Sequence, residues 1–343
     1  MSVSTSENPY LFAQTLAALN YIYPFGTTRF VDGTNGADTN NGSGWGNAFA
    51  TIQAAVTASS AGDTIMIAAK TITAGATDPT SYAETIIIPA AKTSLSLIGV
   101  SRGRTQMGLP QIKKGEGTTA LLTIRAGGCL IKNLGFNGIW SADSTQSLIG
   151  VLLDDDGSTK SACGTTIENC HFKNCAGSTG STNGAAGGAI TWSANGGAWQ
   201  VLIKDCRFYK NVADVCLLGT SVSVPQDVVI EGNIFSGPAA MVDCNLFLMG
   251  GGSGMNGVII RNNVFGQLPS LGTQARYIVA TGCVGMLVGN VFGCQTSDAG
   301  GATLTFLAAG TAAKIPLTMH VANNWGQSIT AKESGEVNIA ANT

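Results

Sequence analysis

An eight-residue phrase that recurs along the chain constrains its fold more than any other feature. One copy reads Val258-Ile-Ile-Arg-Asn-Asn-Val-Phe265, and related copies run from about residue 129 to residue 326. The closing Phe recurs at intervals of 36, 36, 27, 30 and 27 residues. Such a period predicts an architecture of stacked repeats.

The phrase predicts strands rather than helices, because apolar and polar residues alternate in it over very short distances. An Asn or Gly in the middle of nearly every copy indicates a sharp bend with left-handed backbone geometry. Stacked coils would bury columns of like apolar side chains. Two such columns are Ile131, Ile167, Ile203, Ile230, Ile260 and Leu287, and Phe136, Phe172, Phe208, Phe235, Phe265 and Phe292. The sequence therefore predicts an all-β fold, a single-stranded parallel β-helix (solenoid).

Composition excludes several classes of protein. Charged residues make up only 11% of the 343, and the net charge of −2 comes with no Lys/Arg cluster, so we expect no nucleic-acid partner. No apolar run reaches 18 residues, so we expect no membrane span. The nine Cys contain no metal-type C-x-x-C pair. They are either buried free thiols or, for Cys170 and Cys206 in one column of the repeat, a disulfide.

Three segments are predicted. Residues 1–28 form an N-terminal arm with a short helix over Tyr10–Tyr23, either a cap on the solenoid or an attachment arm. Residues 29–326 form the β-helix with an N-terminal cap, in which Phe49, Ile52, Ala55 and Val56 have the spacing of a short amphipathic helix. Residues 327–343 form a C-terminal tail. The first basic residue is Arg29, so we expect no signal peptide.

The head of the chain resembles a known family. Phe30-Val-Asp-Gly-Thr-Asn-Gly36, Ala61-Gly-Asp-Thr-Ile-Met-Ile67 and Tyr82-Ala-Glu-Thr-Ile-Ile-Ile-Pro89 are similar to the opening of right-handed parallel β-helix proteins of the pectate-lyase-like superfamily. The resemblance covers about residues 29–136 and continues through the repeats to about 326. One departure is Lys70-Thr71-Ile72, where the family has Gly-Thr-Tyr. The superfamily includes lyases, hydrolases, epimerases, adhesins and bacteriophage virion proteins.

The leading hypothesis is a structural virion protein of a bacteriophage: a capsid decoration protein, head fibre or short tail spike. It would be made in the host cytoplasm and would dock on other capsid or tail proteins through its N-terminal segment. The resemblance implies a homotrimer. Host-surface polysaccharide is a further expected partner. The alternatives are a polysaccharide-degrading lyase or glycoside hydrolase and a glycan-binding adhesin without hydrolysis; the sparse charged clusters favour a protein that is not an enzyme.

Few residues are candidates for chemistry. The carboxylate cluster Asp154-Asp-Asp156 is a solvated turn, a cation site or, with Asp205, part of a catalytic acid–base set. An enzyme would need two or three of Asp154, Asp156, Asp205 and Glu168 on one face beside a groove.

Sugar-stacking and cation sites are also open. Trp192 and Trp199 flank a Gly-rich segment and are candidate sugar-stacking residues. Asp32 and Asp38, with neighbouring Asn, form either a Ca²⁺ site or a turn held by its own hydrogen bonds; no other cofactor is expected. His171, Arg207 and Arg261 are predicted to face outward.

Overall fold

The chain folds into a parallel β-helix, as the repeat predicts. The computed structural model describes residues 26–71, 80–100, 108–113, 120–139, 149–157, 161–176, 187–192, 199–219, 224–236, 244–249, 254–266, 276–292, 319–326 and 339–341. The helix predicted over residues 10–23 lies outside them.

The secondary structure is nearly all strand. In the described part of the chain, one α-helix, α1, spans Ile52–Ala58, and a short 3₁₀-helix spans Trp45–Asn47. The described strands are β1 Thr28–Val31, β2 Thr64–Ala68, β3 Ile86–Ile88, β4 Ser96–Val100, β5 Gln111–Ile112, β6 Leu122–Ile124, β7 Leu130–Lys132, β8 Gly135–Asn137, β9 Val151–Leu153, β10 Thr166–Glu168, β11 His171–Lys173, β12 Ile190–Trp192, β13 Leu202–Lys204, β14 Arg207–Tyr209, β15 Ala213–Leu218, β16 Val229–Glu231, β17 Ile234–Phe235, β18 Cys244–Met249, β19 Met255–Arg261, β20 Val264–Phe265, β21 Arg276–Thr281, β22 Cys283–Val288, β23 Val291–Phe292, β24 Met319–Ala322, β25 Asn324–Gly326 and β26 Ile339–Ala341.

The strands form three sheets. Sheet A has the order β1-β2-β4-β7-β10-β13-β16-β19-β22-β24, sheet B has the order β5-β8-β11-β14-β17-β20-β23-β25-β26, and sheet C has the order β3-β6-β9-β12-β15-β18-β21. Neighbouring strands are parallel, and equivalent residues of successive repeats are in register, as for Ile131, Ile167 and Ile203. Each central coil thus contributes one strand to each sheet. The last described strand, Ile339–Ala341, lies in the predicted tail and pairs with β25.

Each copy of the phrase folds as a bend between sheets A and B. Its fifth residue has a positive φ, for example 58° at Asn133, 55° at Asp205 and 67° at Gly232. Gly, Asn and Asp tolerate this left-handed conformation better than other residues. The third residue points inward on one side of the bend and the eighth on the other. The predicted bend is therefore confirmed.

The eighth residues form a continuous stack of rings through the core. Neighbouring ring centroids in the column from Phe136 to Phe292 are 4.7 to 5.1 Å apart, with interplanar angles of 8° to 17°. All six rings are at most 1% exposed. The coil spacing thus dictates the ring spacing, and the column buries a large apolar area.

In the last four copies the sixth residues form a ladder of asparagines. Asn233, Asn263, Asn290 and Asn324 are at most 1% exposed. The backbone N–H and the side-chain amide of Asn263 both donate to Oδ1 of Asn290 at 3.0 Å, and the same pair of bonds joins Asn233 to Asn263. Each of these amides also donates to a backbone carbonyl of an earlier coil, such as Ile230 O at 2.9 Å. These buried amides are therefore satisfied along the helix axis.

The N-terminal cap contains the predicted amphipathic helix. Ile52, Ala55 and Val56 of α1 are buried against the first coils. The Glu84 carboxylate accepts the backbone N–H groups of Ile52 at 2.9 Å and of Gln53 at 2.8 Å. A carboxylate at this position satisfies helix N–H groups that have no intrahelical partner. The cap is thereby tied to the chain just before β3.

The cysteines of the repeat are free thiols, and His171 is largely buried. Seven cysteines in the described part of the chain, including Cys170 and Cys206, are free thiols. Burial raises the pKa of Cys206 well above its ordinary value, which keeps this thiol protonated. His171 precedes the inward Phe172 on β11, but it is only 6% exposed. Among the described residues, no helix is both long and apolar enough to cross a bilayer.

Candidate functional site

The outer face of sheet A has a column of charges at the fourth position of the repeat. Signs alternate from coil to coil along Lys132, Glu168, Lys204, Glu231 and Arg261, which lie in register. Lys132 Nζ donates to Glu168 Oε1 at 2.8 Å, and Lys204 Nζ lies 3.6 Å from Glu168 Oε2. Arg261 Nε donates to Glu231 Oε2 at 2.6 Å. Arg261 is exposed on the outer face, as predicted, and the register also places the Glu231 carboxylate beside it.

A cleft of about 460 Å³ opens beside this column, at the corner between sheets A and B. We call it the corner cleft. Its lining includes Lys132, Glu168, Asn169, Asp205, Arg207 and Ile234. They occupy the fourth, fifth and seventh positions of consecutive repeats, so the stacking of coils brings them together. The volume is within the range of small-molecule sites.

Two walls of the corner cleft differ in how their charges are used. On the sheet A wall, Glu168 is 8% exposed and both of its oxygens face ammonium groups. On the other wall, neither the Asp205 carboxylate nor the Arg207 guanidinium forms a side-chain hydrogen bond or ion pair with another described residue. The cleft thus combines a neutralised carboxylate with a carboxylate and a guanidinium that are uncommitted in this part of the chain.

The predicted acid cluster is divided between corners. Asp154 and Asp156 belong to the turn that leaves sheet C after β9, whereas Glu168 and Asp205 line the corner cleft. Asp154 Oδ2 accepts from Arg125 Nε at 2.9 Å, and Asp155 Oδ1 accepts the N–H of Gly157 at 2.6 Å. The structure therefore brings together Glu168 and Asp205 of the four acids, on consecutive coils.

The two candidate sugar-stacking tryptophans lie in different environments. Trp192 is the last residue of β12 and is 2% exposed, so its ring is part of the core. Trp199 is 51% exposed and pairs by a backbone bridge with Gln226. Of these two residues, Trp199 is the one whose ring is available to a ligand. Sugar binding at either residue stays a prediction.

Asp32 and Asp38 hold the loop that precedes α1. Asp32 Oδ1 accepts the backbone N–H groups of Thr34 at 2.9 Å and Asn35 at 3.1 Å. Burial alone would raise the pKa of Asp32, but these bonds and one from the Asn35 side chain outweigh it, and the pKa is lowered. Asp38 Oδ1 accepts the N–H groups of Ala50 and Thr51, both at 2.9 Å. A Ca²⁺ site here stays a prediction, and its ligands would have to exchange these bonds for the ion.

One acid, Asp214, is fully buried in the core and has a raised pKa. Asp214 on β15 is 0% exposed, and its two oxygens accept side-chain amide hydrogens from Asn211 at 2.8 Å and Asn245 at 2.7 Å. Burial raises the pKa of Asp214 to about 7, and the two hydrogen bonds lower it in part. Among the described residues, no group of three or more His, Cys, Asp or Glu side chains is arranged to hold a metal.

The sequence contained a signal for the corner cleft that its motifs did not reveal. The motifs place Asp205 in a candidate acid set with Asp154, Asp156 and Glu168, and they predict only that Arg207 faces outward. An alignment of the copies puts Glu168 in the fourth column and Asp205 in the fifth column of the next copy. Adjacent columns of adjacent coils are neighbours in a solenoid, so the alignment places the two acids side by side once the register of the coils is known.

Comparisons with known proteins concern the fold. No protein-family model matches the sequence, and a search of curated proteins finds no match. Among solved structures, the protein ORF18 of Geobacillus virus E2 is similar with a TM-score of 0.49 at 12% identity, over 99% of this chain and 63% of that one. This chain therefore spans less than two thirds of the length of the viral protein.

Two further structures are similar over most of the chain. The GH136 lacto-N-biosidase from Eubacterium ramulus has a TM-score of 0.45 at 10% identity, over 93% of this chain and 70% of that chain. PfbA, a surface adhesin of Streptococcus pneumoniae, has a TM-score of 0.32 at 13% identity, over 78% of this chain and 77% of that chain. At identities this low, these similarities show the fold alone.

Proposed function

We propose that the protein is a structural, non-enzymatic member of the pectate-lyase-like superfamily that serves in a bacteriophage particle. It is a capsid decoration protein, head fibre or short tail spike. The observation that carries the proposal is the use of polar side chains along the solenoid axis. The asparagine ladder and the charged column of sheet A bind one coil to the next.

The asparagine ladder and the charged column stabilise the stacking of the coils, as a rigid structural protein requires. Each hydrogen bond between coils contributes about 0.5–1.5 kcal/mol net, and the ladder repeats this contribution along the stack. The continuous Phe column adds apolar burial over the same length. A solenoid of this kind resists local opening, which suits a rod that projects from a particle. In this proposal residues 1–28 dock on a capsid or tail protein, and three copies assemble side by side.

Purified phage particles provide the test. Mass spectrometry of particles freed of soluble protein should detect the chain at a fixed copy number per capsid. Expression of a variant without residues 1–25 in place of the full chain should yield particles that lack the protein, while the free variant stays folded by circular dichroism. Absence of the full-length chain from purified particles would refute the virion role, whatever the solenoid binds.

A polysaccharide-degrading enzyme is the second candidate, because Glu168 and Asp205 line one cleft. Glycosidases use two carboxylates, one of which must carry a proton. Both oxygens of Glu168 already face ammonium groups, those of Lys132 and Lys204, and this occupation weighs against a role in contacting substrate. Reducing-end release from capsular or cell-wall polysaccharide that disappears in both Glu168→Gln and Asp205→Asn would establish the enzyme; release that survives in both variants would exclude this pair.

A further inference from the structure

The corner cleft contains polar groups that take no part in the asparagine ladder or in the ion pairs of the charged column. The Asp205 carboxylate and the Arg207 guanidinium flank Cys206, whose thiol points into the core. Asp205 is exposed and lies at the bend, where φ is 55°. Arg207 lies on the outer face of sheet B, between His171 and Ile234 of the neighbouring coils. The two charged groups therefore face the same cleft from adjacent walls.

The next coil leaves room for the Asp205 side chain. A Cβ atom at Gly232 would lie 2.6 Å from Asp205 Oδ1, so only Gly allows the carboxylate to lie there. Gly232 also has a φ of 67°, which favours Gly for a second reason. The same arrangement recurs at Gly289, where an added Cβ would lie 2.7 Å from Asn262 Oδ1, so a glycine that leaves room for the side chain of the preceding coil is a feature of this bend, and Asp205 is the copy in which that side chain is a carboxylate.

We infer that the corner cleft binds a neutral saccharide through adjacent hydroxyl groups and does not cleave it. A carboxylate accepts two hydroxyl hydrogens and a guanidinium donates two N–H groups to hydroxyl oxygens, so together they satisfy a vicinal diol. The formal charges of Lys132, Glu168, Asp205 and Arg207 sum to zero. A uronate or phosphate would meet Arg207 but also the Asp205 carboxylate beside it, which is unpaired among the described residues and disfavours an anion.

An aromatic ring lies at the edge of the same surface. Tyr209 is 40% exposed and follows Arg207 by two residues on β14, on the same face of sheet B. Two residues of a strand span roughly 6.6 Å, about the width of one sugar ring. The Lys210 ammonium lies 5.2 Å from the centroid of the Tyr209 ring. This ammonium covers one face of the ring, and the exposed part of the ring offers the apolar contact that sugar C–H groups prefer.

This inference goes beyond the structural role proposed above and is independent of it, since the cleft exists whether or not the protein is part of a virion. Saturation-transfer NMR on the full chain provides the test, with methyl glucoside, methyl galactoside, N-acetylglucosamine and galacturonate as probes. We expect signal transfer to at least one neutral sugar and a weaker signal for galacturonate. Asp205→Asn and Arg207→Gln should each weaken binding about tenfold, as loss of a charged hydrogen bond does.

Asp227→Asn is the matched control. Asp227 is also exposed, has a φ of 53°, and its carboxylate also lies against a glycine of the next coil, Gly257. It does not line the corner cleft, so its variant should bind sugar within twofold of the parent. Asn at residue 205 matches Asn133, Asn169 and Asn262 in other coils, so the variant is expected to fold.

The binding measurements can refute the proposed saccharide site in several ways. Transfer to none of the probes, equal binding by the Asp205 and Asp227 variants, or a preference for galacturonate would each overturn the proposal. Release of reducing ends from an oligosaccharide would overturn its non-catalytic part. None of these results depends on whether the chain is found in phage particles, so failure here and failure of the virion role can be told apart.

Discussion

Replacing one residue of the asparagine ladder tests whether the ladder stabilises the solenoid. Asn263 is fully buried, and its Oδ1 accepts the backbone N–H and the side-chain amide of Asn233, both at 3.0 Å. Its own amide donates to Ile230 O at 2.9 Å. The change Asn263→Leu keeps the size of the side chain and removes all of these bonds. A buried leucine also occurs in this column at Leu134.

The expected cost follows from the groups left behind. The variant deprives two buried donors of Asn233 of their acceptor and deprives the carbonyl of Ile230 of one donor. A buried group without its partner costs about 1–3 kcal/mol, so the two donors alone cost about 2–6 kcal/mol. The apolar leucine offsets about 1–2 kcal/mol of this by burial. We therefore expect Asn263→Leu to lower the free energy of unfolding by about 2–4 kcal/mol.

The neighbouring residue provides the control. Asn262 is exposed with a φ of 56°, and Gly occupies its position in two sister copies, at Gly232 and Gly289. Asn262→Gly should change the free energy of unfolding by no more than about 1 kcal/mol. Urea unfolding followed by circular dichroism gives both values, and equal m-values would show that the same structure unfolds in each case. A loss below about 1 kcal/mol in Asn263→Leu, or equal losses in both variants, would refute the role given to the ladder.

Three further predictions use the same measurement. Phe208→Ala should cost about 3–5 kcal/mol because it interrupts the ring stack, whereas Phe208→Leu should cost roughly half as much; equal costs would show that the rings do not act by volume. Stability should fall as pH rises from about 4 to about 7, by up to about 4 kcal/mol, because over that range Asp214 is ionised in the unfolded chain but still protonated in the fold, where its pKa is raised to about 7. The fall should be absent in Asp214→Asn, and its persistence there would assign it to other groups. Glu168→Gln should lower the free energy of unfolding by about 2–4 kcal/mol, because it leaves two ammonium groups beside a largely buried neutral side chain. Glu231→Gln breaks an exposed ion pair and should lower it by at most about 1 kcal/mol. A larger loss in Glu231→Gln than in Glu168→Gln would contradict the claim that burial sets the cost.

The columns of the solenoid could be predicted from the sequence because they depend on periodicity alone. Ile260 and Phe265 belong to sets of equivalent residues, and equivalent residues in stacked coils must face the same way. The bend at Asn262 followed from the same alignment, because few residue types tolerate a positive φ. The orientation of these residues follows from the repeat alone and does not depend on the path of the loops.

The chemical environment of single residues could not be predicted in this way. Trp192 reads as one end of a Gly-rich loop, but it is the last residue of a core strand. The oxygens of Asp38 are bound by backbone N–H groups from residues 50 and 51, a contact set by the path of the loop. The corner cleft depends on which coil lies next to which, and the copies give this only when their register is known.

The charged column of sheet A supplies that register. The Ile and Phe columns are nearly identical from coil to coil, so apolar packing alone would accept a coil stacked on the wrong neighbour. Signs alternate along the charged column, so omission of one coil would place Lys132 beside Lys204 or Glu168 beside Glu231. Like charges directly opposite each other on neighbouring strands destabilise a sheet. The apolar columns therefore supply most of the stability, and the charged column selects the order of the coils.

The asparagine ladder takes over where the charges end. The fourth position becomes Val288 and then Ala322 in the last copies, while the sixth position is Asn in every copy from Asn233 onward. In the earlier copies the reverse holds: charges fill the fourth position, and the sixth holds Leu134, Cys170 and Cys206. The two columns overlap only around Glu231 and Arg261. Polar contacts thus extend along the axis from Lys132 to Asn324 with no coil left to apolar packing alone, and the corner cleft lies in the charged half, where Asp205 and Arg207 are not needed to hold the coils together.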